Sequence, residues 1–140
     1  MAALTVADTG LGASISGTGL ITTQVVSIGE MTIGVDVLNI SDLSTVGFEL
    51  ERPGDLRKNP DCEIAFNWLG AAIPITTAMI PTAEPYAGIA SVITFPGAGS
   101  LQGTAFVKQA KTPKLAKGEV MRGSYTLQFD GATDITFTPA

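Results

Sequence analysis

The chain has 140 residues, with 16 glycines, one cysteine and no histidine, and thirteen acids against eight bases give it a formal charge of −5. One domain is expected, large enough to fold without staples. The lone Cys62 excludes an intrachain disulfide, and the lack of histidine removes the commonest general base and metal ligand at neutral pH.

The eight bases fall in two segments, Arg52, Arg57 and Lys58 in one and Lys108, Lys111, Lys114, Lys117 and Arg122 in the other. Outside 49–63 and 108–122 every charge is acidic. Such a body repels nucleic acid rather than gripping it, because phosphate binding needs lysine and arginine. MAALTVADTG lacks the basic start and apolar core of a signal peptide, and no apolar run approaches the ~18 residues of a membrane span. A soluble protein of a reducing cytoplasm, with no membrane insertion, is expected.

Taken in order, residues 1–20 are Gly/Ala/Ser/Thr-rich and aperiodic, and read as an extended arm. Gly10-Leu11-Gly12 follows no strand and lacks Gly-Lys-Ser/Thr, so it is no phosphate loop. Ile21–Ile28 and Met31–Leu38 read as strands rich in β-branched residues. Residues 42–60 read as a long polar loop, with a brief pairing segment at Val46–Leu50 and turns at Arg52-Pro53-Gly54-Asp55 and Asn59-Pro60. Over Asp61–Leu69 the residues alternate: Cys62, Ile64, Phe66 and Trp68 face one way, Glu63 and Asn67 the other. That pattern places Trp68 in the core and makes Cys62 a small core residue, not a nucleophile.

In 70–88, Pro74, Pro81 and Pro85 allow at most a short helix. Ile89–Phe95 and Leu101–Val107 form a predicted hairpin around Pro96-Gly97-Ala98-Gly99, and Lys108–Lys117 reads as a basic turn broken by Pro113. The clearest strand is Val120–Phe129. Met121, Gly123, Tyr125, Leu127 and Phe129 share its apolar face; Arg122, Ser124, Thr126 and Gln128 share its polar one. A short strand over Asp134–Thr138 follows. No catalytic set, metal spacing or cofactor motif is present, so an enzyme is not expected. The fold expected is mainly β, a sandwich or partly closed barrel of two packed antiparallel sheets.

Three stretches together resemble the major tail tube proteins of long-tailed bacteriophages, relatives in fold of the type VI secretion tube protein. They are SIGEMTIGVDVLNISDLSTVGFELERPGDLRKNPD, CEIAFNWLG and SVITFPGAGSLQGTAFVKQAKTPKLAKGEVMRGSYTLQFDGATDITFTP. The resemblance spans most of 22–139 and rests on the order and spacing of features. It departs from the family after Trp68, where the prolines shorten or remove the usual helix.

The resemblance implies a virion structural subunit assembled in the host bacterial cytoplasm. Six copies would form each ring, and stacked rings would form a tube conducting double-stranded DNA without binding it specifically. About twenty-four strands at roughly 4.8 Å give a circumference of ~115 Å and a backbone diameter of ~37 Å, wide enough for a duplex once side chains are allowed for. Further partners would be the tape measure and terminator proteins. Arg52, Asp55, Arg57, Lys58, Lys111 and Lys114 are the expected assembly contacts. Glu63, Asn67, Arg122, Ser124, Thr126 and Gln128 are the expected channel lining, on polar faces with an acidic excess. A capsid-decorating or baseplate protein and a carbohydrate-binding β-sandwich are the competing readings.

Overall fold

The computed structural model describes residues 12–22, 24–68, 79–82 and 88–139. Nine strands follow in order: β1 Ser14–Ser16, β2 Val25–Ile28, β3 Gly34–Asn39, β4 Glu51–Lys58, β5 Asp61–Asn67, β6 Ile89–Phe95, β7 Gly99–Lys111, β8 Arg122–Phe129 and β9 Thr136–Pro139. Seven of them form one antiparallel sheet in the order β1-β6-β7-β8-β5-β2, with β9 paired to β7, while β3 and β4 form a separate two-stranded sheet.

Next to the central β7–β8 pair of the large sheet is the β5–β8 ladder, seven unbroken pairs from Asp61 opposite Gln128 to Asn67 opposite Arg122. Paired residues share a face, so two alternating sequences in register lay all their apolar side chains on one side. Cys62, Ile64 and Phe66 on β5 and Tyr125, Leu127 and Phe129 on β8 are each at most 2% exposed. Ile15 of β1, Ile93 of β6 and Leu101, Ala105 and Val107 of β7 complete the same core. The fold is thus mainly β, with antiparallel layers packed around one core and no closed barrel among the described residues.

β7 spans both halves of this arrangement. Along one edge its start pairs β9 (Gly99–Gln102) and its end pairs β8 (Ala105–Lys111), with a register break between Val107 and Gln109. The bulge leaves Lys108 unpaired and re-phases the strand, so that Ala110 returns to the core side opposite Tyr125. For this reason Lys108–Lys111 is strand and not the start of the expected basic turn. Gly123 meets a different demand. A Cβ there would lie 2.8 Å from Phe66 Cζ, so only glycine lets that ring pack across β8.

Four further expectations change. Arg52-Pro53-Gly54-Asp55 is not a turn but the middle of β4. A two-stranded ladder has free outer edges, which tolerate proline, and a register break between Val35 and Val37 absorbs the misfit. Gly54 sits at that break, where a Cβ would come within 3.0 Å of the Asp36 carbonyl oxygen. Within the stretch read as an arm, Ser14–Ser16 joins the sheet edge against Val92–Thr94. Trp68 is half-buried at the margin of the core, its ring 6.1 Å from that of Phe66, and Met121, expected inside, is 40% exposed. The question of a helix in 70–88 falls, apart from 79–82 and Gly88, outside the described residues.

Two buried acids of the core side oppose alkaline conditions. Burial pushes the Cys62 thiol from its ordinary 9.0 up to about 11, helped by the charges of Asp61 and Glu63, while its Sγ lies 3.4 Å from the Gly29 carbonyl oxygen. Burial raises the Tyr125 phenol too, and its hydroxyl donates to the Ile21 carbonyl at 2.8 Å. A raised pKa in the folded state means the stabilising protonated form is held below the unfolded pKa. That stability is lost as pH climbs through the folded value. The Cys62 contribution alone is roughly 3 kcal/mol. The urea midpoint is therefore expected to be flat to about pH 8.5 and to fall between pH 9 and 11. Cys62→Ala should show a shallower fall.

Candidate functional site

Two surfaces stand out once the core is accounted for. The first is the β3–β4 hairpin. Ten large apolar residues between Ile33 and Leu56 are more than a third exposed, among them Leu43 at 107%, Val46 at 92% and Phe48 at 93%. None of the fully buried core residues lies in this stretch. The hairpin has structure of its own nonetheless. Ile40 N–H donates to the Leu50 carbonyl (2.9 Å), Leu50 N–H to Ser41 Oγ (2.7 Å), and Lys58 pairs with Asp36 at 2.8 Å. At its tip the Asp42 carboxylate accepts from the Ser44 N–H and hydroxyl, which hold it below the usual carboxylate range.

Large apolar groups raised on a separate ladder, outside any core, are the signature of a surface that a partner covers. The expected assembly residues divide here. Arg52, Asp55, Arg57 and Lys58 all lie exposed on β4. Lys111 and Lys114 do not join them: Lys111 ends β7 opposite Ser124, and Lys114 lies in the connection to β8.

The second surface is the polar face of the large sheet. Its registers place Asp61, Gln128 and Phe106 in one row, Glu63, Thr126 and Gln109 in the next, then Ala65, Ser124 and Lys111, and last Asn67 with Arg122. The rows beyond continue with hydroxyls and amides, and Gln102 Nε2 donates to Thr138 Oγ1 at 3.3 Å. All six expected lining residues (Glu63, Asn67, Arg122, Ser124, Thr126 and Gln128) are thus brought onto one face. Arg122 donates to Asn67 Oδ1 at 3.2 Å and not to Glu63, and Lys108 Nζ lies 3.7 Å from Asp61.

The expected acidic excess on this face is not there. Its strand residues carry Asp61 and Glu63 against Lys108, Lys111 and Arg122. Sequence reasoning missed Lys108 and Lys111 because their segment read as a turn, and the bulge that brings Gln109 and Lys111 onto this face leaves no mark in the alternation. Among the described residues no group of three or more His, Cys, Asp or Glu is placed to hold a metal ion.

No family model matches the chain, and no curated protein matches it in sequence. Solved structures do. A chain of the sheath–tube complex of PVC, an extracellular contractile injection system, in the extended state, aligns with a TM-score of 0.68 at 13% identity, covering 91% of this chain and 88% of that one. A chain of the PVC sheath/tube terminator aligns at 0.69 and 12% identity, covering 90% and 92%. A chain of the native gene transfer agent particle aligns at 0.62 and 12% identity, covering 90% and 95%. The fold is of the tail tube type.

Proposed function

We propose that this protein is a structural subunit of a phage-type tail tube. Six copies form a ring, and stacked rings enclose a channel that conducts double-stranded DNA. The observation that carries this reading is the hairpin: beside the core formed by the described residues, it raises ten large apolar side chains into solvent, a surface of the kind a partner covers. The fold likeness supports the kind of partner, since the neighbours are chains of tube, terminator and gene transfer agent assemblies.

The channel lining is the polar sheet face, with Glu63, Asn67, Arg122, Ser124, Thr126 and Gln128 toward the lumen. Most of these side chains are polar and uncharged, and of the cations on this face Lys108 is engaged by Asp61 and Arg122 by Asn67. A near-neutral wall of this kind lets a polyanion pass with few standing phosphate contacts. Arg52, Asp55, Arg57 and Lys58 flank the apolar residues of the hairpin and set its register on a neighbouring subunit. The subunit would reside in the virion tail, alongside tape measure and terminator proteins, after assembly in the bacterial host's cytoplasm.

Electron microscopy and sedimentation of the purified protein test the reading. Rings or tubes of six-fold symmetry with an open channel are the expected result; monomers at every concentration, or discrete trimers, would overturn it. The facing of the sheet is checked separately with a hapten on Thr126→Cys. An antibody is expected not to reach it in intact tubes, and binding along the tube exterior would show that the sheet faces outward.

A further inference from the structure

The two ends of the domain are chemically matched to each other. At one end is the hairpin tip, residues 40–51. It carries Asp42, Glu49 and Glu51 with no cation, beside the exposed Leu43, Val46 and Phe48. It is also prearranged: besides the Asp42–Ser44 bonds, Thr45 N–H donates to the Asp42 carbonyl at 3.0 Å, and Ser41 and Leu50 close its neck. A surface already ordered loses less entropy on docking than a flexible one.

At the other end is the connection from β7 to β8. Lys111, Lys114, Lys117 and Arg122 stand there against one acid, Glu119, and all five are exposed. Among them Leu115 is 79% exposed, Val120 59% and Met121 40%. Lys114, Glu119, Val120 and Arg122 line a shallow depression in this surface. The connection is held in place as well, since Trp68 N–H donates to the Met121 carbonyl at 2.8 Å and Glu119 N–H to the Ala116 carbonyl at 3.3 Å. An acidic apolar projection and a basic apolar depression are thus both built and both bare.

One chain does not join them. The hairpin is attached where β5 begins, at Asp61, and the connection lies where β5 ends, beside Asn67 and Arg122. Six residues of extended strand separate those points by about 20 Å, and Leu43, Val46, Phe48 and Leu115 are all at least 79% exposed, so the tip does not rest on the connection of its own chain. A projection at one end and a receptor at the other make a heterologous contact, which propagates from copy to copy.

We propose that the hairpin tip of one subunit docks on the Lys111–Arg122 connection of the next copy. Leu43, Val46 and Phe48 cover Leu115, Val120 and Met121, and Glu49 and Glu51 meet Lys114 and Lys117. This inference rests on the self-assembly proposed above and names the surface that receives the hairpin. The opposite charges set the polarity of stacking, because tip against tip and receptor against receptor both repel.

Paired charge reversal tests it, with polymer measured by sedimentation and electron microscopy. Glu49→Lys with Glu51→Lys forms the first set, and Lys114→Glu with Lys117→Glu the second. Either set alone is expected to raise the concentration needed for assembly at least tenfold. A chain carrying both sets is expected to recover polymer, which a misfolded variant could not do. If the wild-type protein never polymerises, the tube reading falls and this inference with it. If the wild-type protein polymerises but each single set assembles as well as it does, or the doubly reversed chain stays unassembled, this docking is overturned while the tube reading stands.

Discussion

A chain in which Asn39 is joined to Glu51 through Asn-Gly is expected to fold normally and to form no polymer at any accessible concentration. Asn39 and Glu51 already face each other as the last pair of the β3–β4 ladder, so a two-residue turn closes it without strain. No fully buried core residue lies between Ile28 and Pro60, which leaves the sheet and its packing untouched. What disappears is a large share of the exposed apolar surface: Ile40, Leu43, Val46, Phe48 and Leu50 all go with residues 40–50. Far-ultraviolet circular dichroism and thermal melting check the first half of the expectation, and sedimentation velocity the second. Tubes from the shortened chain would place the subunit contacts elsewhere. A collapse of its melting transition would mean that the hairpin supports the fold itself.

The second large effect is in the core. Phe66 is 1% exposed, lies 6.1 Å from Trp68 and 6.3 Å from Tyr125 by ring centroids, and crosses β8 at Gly123. Phe66→Ala removes a buried aromatic ring and leaves a void that the flanking ladders cannot collapse around. A loss of ~3–5 kcal/mol is expected, a large fraction of the 5–15 kcal/mol typical of a domain. Gly123→Ala alone should also destabilise, because its methyl would stand 2.8 Å from Phe66 Cζ. Combined with Phe66→Ala that clash is gone and the methyl fills part of the void, so the double variant should be more stable than the two single losses predict. Denaturant titration of the four proteins checks this. Simple additivity would show that the two residues do not share the space described.

The sheet centre was legible in the sequence for a physical reason. On β5 and β8 one face is dry and the other wet, and a period of two records that directly in Asp61–Asn67 and Arg122–Phe129. The polar residues of the opposite face came with it, because facing is inherited from register. The hairpin was less legible. Alternating Ile33, Val35 and Val37 look the same whether a strand enters a core or waits for a partner, and nothing in the chain itself marks the difference. Arg52-Pro53-Gly54-Asp55 carries every local mark of a turn, yet a ladder with two free edges accommodates it. β1 is three residues long, too short for alternation to register, and the bulge at Lys108 reverses facing without any sequence mark.

The order of strands in space has a consequence for synthesis. β8 lies between β7 and β5, and the Tyr125 hydroxyl reaches back to Ile21. Apart from β6–β7 and β7–β8, every pairing in the large sheet joins strands that are not neighbours in sequence. A nascent chain that has not yet released Phe129 from the ribosome therefore has no sheet centre, although its β3–β4 hairpin, made of neighbouring strands, can already close. The hairpin with its exposed apolar residues is ready first and the body that carries it last. Chains emerging side by side from one message would then expose apolar hairpins before the sheet that carries them has closed, which favours association between nascent chains. Protease resistance of ribosome-bound chains should accordingly rise in a single late step, once residues beyond 129 clear the exit tunnel.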